Sequence, residues 1–278
     1  MDFKNKISIM GILNLTPDSF FDGGKFKSHQ QIQSQIERWV QLGIDIIDVG
    51  CESSRPGANP ISIEEEMERI NLVIPIIKLF SDITFSIDTY KPEVADYALK
   101  NGFKIINDIY GANNNKMFKI AKIYNAPIII MHMKGTPKLM QDNPEYDDII
   151  EEISNFFSER IQTAIKFGIS PKNIILDPGI GFGKTYSDND KILHNIHRFI
   201  SLGYPLLIGT SRKSFLQVND DTPQNRFANS ISSMTISVLN GANIIRAHDI
   251  EASIKVKALL ERYLRSNSIS FLSNKVMI

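Results

Sequence analysis

Three residues with short polar side chains, Asp88, Asn107 and Asp177, each come directly after a run of apolar residues. A buried carboxylate is costly unless a donor pairs with it. A flat heterocycle with adjacent N–H groups would give such a carboxylate two parallel hydrogen bonds, and an asparagine amide can contact a neighbouring ring nitrogen because it both donates and accepts. With Lys213 as a cation or as a donor to a carbonyl oxygen, the set suits the edge of an amino-pyrimidinone ring, as in guanine or a pterin.

A second role is open for the two aspartates, because each could cap the turn that follows it. Asp177 precedes Pro178 and Gly179, and Asp-Pro-Gly is favourable turn chemistry. The sequence does not separate this structural role from ligand binding for either aspartate alone.

A cationic group, Arg55, Arg246 and His248, also lies at the ends of apolar runs, and with Asn14 it could form an anion site. The planar fork of arginine binds phosphate bidentately, although a single arginine is as well explained by a surface ion pair. The Asn14 oxygen could also bind Mg²⁺, with diphosphate oxygens and water completing the shell. His132 and His248 do not indicate zinc, because no third His or Cys has ligand spacing.

Eight short apolar runs carry these residues, and helical periodicity separates most of the runs. A parallel strand that is buried on both faces has a continuous apolar sequence. If eight such strands close into a barrel, their carboxyl ends lie at one mouth, where a TIM barrel has its active site. We therefore predict an α/β fold, a TIM (β/α)8 barrel with a single domain over residues 1–278. The runs are Ile7–Leu13, Ile44–Gly50, Ile83–Ile87, Ile105–Ile106, Ile128–Met131, Ile174–Leu176, Leu206–Gly209 and Ile244–Ile245.

Eight helices are predicted between the strands, with Ser62 as an N-cap and Pro75 as the cause of a kink. The tail 266–278 has no predicted packing. An open doubly wound sheet would need a glycine-rich phosphate turn, but Pro178 and Lys184 stand where such a turn in segment 177–185 needs glycine. The predicted helices span 29–42, 63–80, 92–101, 115–124, 147–167, 189–200, 224–240 and 251–265.

The composition is that of a globular protein without a charged field. The chain has 278 residues, with 31 basic and 31 acidic side chains and a formal net charge of zero. It therefore offers no general attraction to nucleic acid or to a membrane surface. Cys51 is the only cysteine, which excludes an intrachain disulfide and favours a reducing compartment. The start lacks a signal-peptide core and no run is long enough for a transmembrane helix, so we expect a cytoplasmic protein.

An ordered series of segments resembles the signatures of the dihydropteroate synthase family. The segments Asn-Leu-Thr-Pro-Asp-Ser-Phe at 14–20 and Ser-Arg-Lys-Ser at 211–214 are specific, and the ordered set from residue 8 to about 255 is very specific. The other segments are 52–57, 86–89, 106–108, 131–133, 177–184 and 246–249.

The resemblance implies a TIM barrel that condenses a dihydropterin-methyl diphosphate with 4-aminobenzoate, with Mg²⁺, and that forms a homodimer. Arg55, Asp88, Lys213 and Arg246 would be the catalytic residues. The pterin would be bound by Asp88, Asn107, Asp177 and Lys213, with Met131 and Phe182 against its ring. The diphosphate would be bound by Asn14, Arg55, Arg246 and His248, and Asn14 would also bind the metal. The aminobenzoate would be bound by Phe20, Ser54, Pro56, Phe182 and Ser214.

Two loops have the proline and glycine pattern of mobile lids, 16–24 and 53–57, although plain connecting loops explain the pattern as well. Ser54 stands where the family usually has Thr, and Cys51 where a small residue is usual. The rival functions are a pterin-dependent methyltransferase barrel, which would not need the arginines, and a pterin-binding barrel without activity. Because we expect the pterin and diphosphate pockets to be separate, Arg246→Ala or Arg55→Ala should abolish turnover but largely spare binding of a pterin that lacks diphosphate.

Overall fold

Eight parallel strands form one sheet in the computed structural model, which describes residues 3–4, 6–16, 29–53, 57–135, 140, 144–218, 222 and 225–266. The strands are β1 (Ser8–Asn14), β2 (Ile46–Gly50), β3 (Thr84–Asp88), β4 (Ile105–Asp108), β5 (Ile128–Met131), β6 (Ile174–Asp177), β7 (Leu207–Ile208) and β8 (Ile244–Ala247). They are paired in the order β6-β5-β4-β3-β2-β1-β8-β7. A parallel bridge between Leu176 and Leu206 joins the two ends of the sheet. The predicted TIM barrel is thereby confirmed.

Helices pack around the outside of this barrel. In the described part of the chain they are α1 (His29–Leu42), α2 (Ile63–Ile70), α3 (Ile74–Leu79), α4 (Pro92–Lys100), α5 (Lys116–Ile123), α6 (Ile149–Lys166), α7 (Tyr186–His194), α8 (Ile196–Ile200), α9 (Phe227–Leu239) and α10 (Ile250–Ser266). Short 3₁₀ turns occur at Pro171–Asn173 and Ser214–Leu216. None of the helices in these described ranges is long and apolar enough to cross a bilayer.

Two predicted helices are divided in the structure. The predicted helix 63–80 ends at Ile70, and a new helix begins at Ile74 with Pro75 in its first turn. Proline lacks an N–H and clashes inside a helix, but it fits a first turn, so the expected kink is a break. The predicted helix 189–200 is divided at Asn195, between α7 and α8. It also begins earlier than predicted, at Tyr186, because Thr185 and Asp188 form a reciprocal capping box.

The lower part of the barrel interior is an apolar layer. Phe3 packs there against one residue from each of seven strands, which we call the floor layer: Met10, Ile46, Ile105, Ile129, Ile175, Leu207 and Ile244. The residues between these positions belong to the second core cluster, which includes Ile47, Ile106 and Ile245 together with the helix residues. This alternation is the two-residue period of strands whose inner face lines the barrel.

The next inward position on each strand lies nearer the carboxyl ends, and there the chemistry changes. We call these residues the pocket layer: Ile12, Asp48, Asp88, Asn107, Met131, Asp177, Gly209 and Arg246. Each stands two residues after a floor-layer residue, except that β3 has Ser86 at the lower level, in register with Ile105. Five of the eight side chains are polar or charged, so one step along the strands turns a hydrophobic core into a polar cleft.

Candidate active site

A cleft opens at the carboxyl ends of the strands, with a volume of about 510 Å³ including the solvent at its mouth. Seven of the eight pocket-layer residues line it, and Asp48 lies buried beneath. The remaining wall comes from the loops that follow the strands: Ile109, Gly179, Ile180, Phe182, Ser211, Lys213 and His248. Residues separated by more than 230 positions in the sequence therefore share one cleft.

Arg246 on β8 is bound between two carboxylates at the centre of this cleft. Its Nε donates to Asp48 Oδ2 and its Nη2 donates to Asp88 Oδ2, each at 2.7 Å. Asp48 Oδ2 also accepts a hydrogen bond from Asn107 Nδ2 at 3.0 Å. Arg246 thus contacts Asp88, which we predicted to bind the pterin. The predicted anion and pterin groups are therefore joined by a direct contact, and the role of Arg246 in binding diphosphate remains a prediction.

The carboxyl of Asp88 has a raised pKa. Burial raises the pKa of its carboxyl to about 7, Arg246 opposes the shift, and the negative charge of Asp48 adds to it. A carboxyl group that titrates near neutrality in a cleft is typical of a functional site.

Asp177 at the end of β6 combines the two roles that the sequence left open. Its Oδ1 accepts a hydrogen bond from Gly179 N at 2.7 Å, which is the turn-capping contact. Its Oδ2 has no donor among the described residues. Burial raises the pKa of this carboxyl, while the Gly179 N–H, Lys213 and Arg246 lower it. One oxygen therefore shapes the turn and the other is left for a ligand.

Lys213 lies across the cleft against the loop that follows β6. Its ammonium donates to the carbonyl oxygen of Ile180 and lies 4.4 Å from the centre of the Phe182 ring. A Cβ at Gly181 would lie 2.9 Å from the Lys213 side chain, and φ there is +78°, so glycine is required at this approach. Burial lowers the pKa of the ammonium to about 7, because Asp177 compensates only in part.

Of the described residues that we predicted to bind diphosphate, Arg246 and His248 line the cleft, whereas Asn14 at the end of β1 does not. A Cβ at Gly50 would lie 3.2 Å from Asn14 Oδ1 and 3.6 Å from Asp88 Oδ2, so the missing side chain leaves both oxygens facing one space. The imidazole Nδ1 of His248 lies 3.1 Å from Ser211 Oγ. Arg246 and other cations add to the desolvation that lowers the pKa of His248, so the ring is neutral at pH 7.

Several predicted site residues are not placed in the cleft. Phe20, Ser54, Arg55 and Pro56 lie outside the described residues, as does most of each predicted lid loop and the tail from 267. Ser214 is exposed and does not line the cleft. It begins a 3₁₀ turn of three residues, Ser214–Leu216.

Sequence reasoning missed Asp48 and Lys184. Asp48 interrupts the apolar run Ile44–Gly50, and a charge at an inward strand position was the available signal. Lys184 is buried and its Nζ contacts His132 Nδ1 at 3.1 Å and the Phe182 carbonyl oxygen at 2.9 Å. Burial lowers its pKa to about 7. It therefore links the ends of β5 and β6 behind the cleft.

Metal binding by a preformed protein cluster finds no support in the described ranges. No group of three or more His, Cys, Asp and Glu side chains in these ranges is arranged to hold an ion. Cys51 is buried, and burial together with Glu66 raises the pKa of its thiol, so it is unsuited to act as a nucleophile.

Comparison with known proteins agrees with this geometry. A model of the family described as pterin binding enzyme matches residues 10–248. The chain therefore belongs to the pterin-binding enzyme family.

Its relatives within that family are dihydropteroate synthases. The chain is 42% identical over 258 residues to the dihydropteroate synthase of Synechocystis, covering 92% of this chain and 89% of the relative. A Yersinia pestis dihydropteroate synthase in complex with a sulfonamide drug superimposes with a TM-score of 0.88 at 36% identity, covering 96% of both chains. A Clostridium difficile dihydropteroate synthase, solved in the presence of pteroic acid, gives a TM-score of 0.88 at 38% identity, covering 95% of this chain and 99% of that one.

Proposed function

We infer that this chain catalyses the dihydropteroate synthase reaction of folate synthesis. The amine nitrogen of 4-aminobenzoate replaces diphosphate on the methylene carbon of a dihydropterin, which gives dihydropteroate and diphosphate. The observation that carries this inference is the pocket layer: carboxylates, an amide and an arginine meet inside a barrel whose relatives are dihydropteroate synthases.

The pterin ring is proposed to bind edge-on to the polar strand ends. The Oδ2 atom of Asp177 accepts from adjacent N–H groups of the ring, and Asp88 and Asn107 contact the neighbouring atoms. Lys213 donates to a ring acceptor from the loop side. Met131 and Phe182, which line the cleft, cover the ring faces. Binding in this form replaces the hydrogen bonds that buried carboxylates would otherwise lose.

The bond change requires little proton chemistry from the protein. The methylene C–O bond to diphosphate breaks, the amine nitrogen forms the new C–N bond, and the nitrogen then gives up one proton to solvent or to the leaving diphosphate. An aromatic amine is neutral at pH 7, so no strong base is needed. The main demand is stabilisation of the departing negative charge, which we assign to Arg55 and Arg246 with Asn14 and His248, and a close approach of the amine to the methylene.

Mg²⁺ is proposed as the cofactor, held with the diphosphate at Asn14. The Asn14 Oδ1 atom faces the same space as the Asp88 carboxylate at the mouth, and oxygen ligands suit Mg²⁺. When bound, the ion would neutralise diphosphate charge. A single protein ligand leaves the rest of the shell to substrate oxygens and water, which predicts that metal affinity depends on the diphosphate.

The 4-aminobenzoate side is proposed to include Phe182 and Ser214 with Phe20, Ser54 and Pro56 from the two loops. Because a Yersinia pestis relative was solved in complex with a sulfonamide drug, sulfonamides are expected to compete with 4-aminobenzoate here. Competition is measured as a rise in the KM for 4-aminobenzoate at constant kcat.

A coupled assay for diphosphate release tests the proposed function. Purified protein receives dihydropterin-methyl diphosphate and 4-aminobenzoate, with and without Mg²⁺, and dihydropteroate is identified by mass. We expect release only when both substrates and the metal are present. Release without 4-aminobenzoate would mean hydrolysis, and no release under any condition would contradict the proposal.

A homodimer in the cytoplasm is proposed as the working state. Large apolar side chains are exposed on α9 and α10, including Ile236 (49% exposed) and Leu259 (53%), and these helices pack on one another. An exposed apolar surface of this kind favours association. Sedimentation equilibrium tests the dimer, and Ile236→Lys is expected to shift it to monomer. A buried, unpaired Cys51 is compatible with a reducing compartment.

A further inference from the structure

Asp48 is a fully buried carboxylate beneath the cleft, with 0% of its surface exposed. It lies in the middle of β2, in register with Ile12 on one side and Ser86 on the other. Its Oδ2 accepts from both Arg246 and Asn107, while its Oδ1 and the neighbouring Ser86 Oγ have no hydrogen-bond partner among the described residues. Burying a charge in this way is costly, so a compensating role is expected.

The first consequence concerns the orientation of the Asn107 amide. Asn107 turns its NH₂ group toward Asp48, because its Nδ2 donates to Asp48 Oδ2 at 3.0 Å and the amide oxygen can only accept. Its carbonyl oxygen is then directed away from Asp48 and into the cleft that Asn107 lines. The residue that could either donate or accept is thereby set as an acceptor for a ligand N–H.

The second consequence concerns the Arg246 guanidinium. Asp48 binds its Nε and Asp88 binds its Nη2, which fixes the guanidinium plane at two separate points. The Nη1 group makes no hydrogen bond to the described residues, so it remains available at the cleft. A planar donor that is oriented before the ligand arrives loses less freedom on binding.

The third consequence concerns charge. Asp48 and Asp88 share one arginine, so the cluster has one more negative charge than positive when both carboxyls are ionised. The charged groups that act on Asp88 are Arg246, Asp48, Glu66 and Asp108. Among these acidic groups, Asp48 is the one that also binds the Arg246 guanidinium in the described structure. Removing the Asp48 charge must therefore make Asp88 easier to ionise.

We propose that Asp48 is a positioning residue for the substrate: it presents the Asn107 carbonyl oxygen to the pterin ring and holds the Arg246 guanidinium in one fixed orientation at the cleft. This inference rests on the proposed function. Asp48 does not touch the substrate and acts only through these two side chains.

The test compares Asp48→Asn with a matched control, Asp45→Asn. Asp45 lies three residues earlier and binds Ile9 N and Lys257 Nζ outside the barrel, so its loss affects stability without touching the cleft. Titration calorimetry with 6-hydroxymethyl-7,8-dihydropterin, which lacks diphosphate, gives the affinity from pH 5 to pH 9. Kinetics give kcat and both KM values.

We expect Asp48→Asn to weaken pterin binding about tenfold at pH 8 and to leave the KM for 4-aminobenzoate unchanged. We also expect the acid limb of the binding profile to move to lower pH, since Asp88 loses a repulsive neighbour. Asp45→Asn should match the wild type in both. Equal pterin affinity and an equal acid limb in the two variants would overturn the proposal.

A measurement on the unaltered protein covers the case in which Asp48→Asn does not fold. The Asn107 side-chain NH₂ resonances should exchange slowly with solvent and stay nearly constant when the pterin is added, because Asp48 holds this group. A large shift on binding would show that the NH₂ group contacts the ligand, which contradicts the inference. Turnover by the wild type is assessed separately, so a failed positioning role and a failed function give different results.

Discussion

The floor layer and the pocket layer of the barrel are built from the same strands, two residues apart, and have opposite chemistry. Ile46 and Asp48 on β2, Ile105 and Asn107 on β4, and Ile175 and Asp177 on β6 each repeat the change. Floor-layer side chains need only shape and volume, and burial stabilises them. Pocket-layer side chains carry charges whose burial is costly until a partner or a ligand compensates them.

This difference indicates that the floor layer stabilises the fold, whereas the pocket layer does not. Among the residues that line the cleft, the pKa values of Asp88 and Lys213 both move toward 7, one upward and one downward, and burial is the first cause of each. Such shifts mean that the folded state disfavours these charges. The site is therefore maintained by a layer that has no contact with its chemistry.

Arg246→Ala is expected to have the largest effect, because it lowers both the stability of the protein and its affinity for the pterin. Asp48 and Asp88 would lose the guanidinium that both of them bind, and breaking such a buried pair costs about 3–5 kcal/mol in the free energy of unfolding. Turnover and pterin binding should both be lost. Urea unfolding and calorimetry measure the two effects. Retained affinity for a pterin without diphosphate would restore the separate anion site that the sequence suggested.

Ile175→Ala removes a floor-layer side chain that is fully buried. The cavity should lower the free energy of unfolding by about 2–4 kcal/mol, while the pterin dissociation constant should stay within about twofold of the wild type. Urea unfolding followed by circular dichroism gives the first value and calorimetry the second. A large loss of affinity in the folded variant would show that the two layers are coupled.

Asp177 lies two residues after Ile175 on β6, and Asp177→Asn is expected to lower pterin affinity while stability stays nearly unchanged. One acceptor becomes a donor that faces ligand N–H groups, so pterin affinity should fall by about 2 kcal/mol, or roughly thirtyfold. The Gly179 N–H can still bond to the Asn oxygen, so stability should change little. Asp190→Asn on the exposed face of α7 is the control. Unchanged pterin affinity would remove Asp177 from the ring edge.

Lys213→Met is expected to raise the free energy of unfolding near neutral pH. The folded-state pKa of about 7 is depressed below the usual value for lysine, so the stability associated with this group is fully present only above the unfolded pKa and is lost as the pH falls toward 7. The variant should therefore be more stable than the wild type at pH 7 and equally stable near pH 11, while turnover is lost. A gain that does not vary with pH would indicate better packing instead.

Particular elements show how far sequence reasoning reached. The apolar runs located all eight strands, because a doubly buried strand must be apolar on both faces, whatever lies around it. Pro75 was recognised as a disruption, but its place in a new first turn depended on where Ile70 ended the previous helix. For Asp177 the choice between turn cap and ligand group was undecidable, since only the structure shows one oxygen on Gly179 and the other in the cleft.

Asp48 shows which part of the site could not be predicted from the sequence. A charged residue inside an apolar run is visible in the sequence, yet its meaning depends on Arg246, which is 198 positions away. Pairing between side chains on non-adjacent strands depends on barrel closure and shear, and neither is encoded in local periodicity.

The amino-acid sequence by itself determined the barrel, the mouth at which the polar residues gather and the family to which they belong, because hydrophobic pattern and ordered motifs are local properties. Only the folded structure shows that Arg246 joins Asp48 to Asp88, that Asn107 donates to Asp48, and that burial moves the pKa values of Asp88 and Lys213 toward 7. These depend on distances across the barrel and on the exclusion of water, which arise only when the strands close.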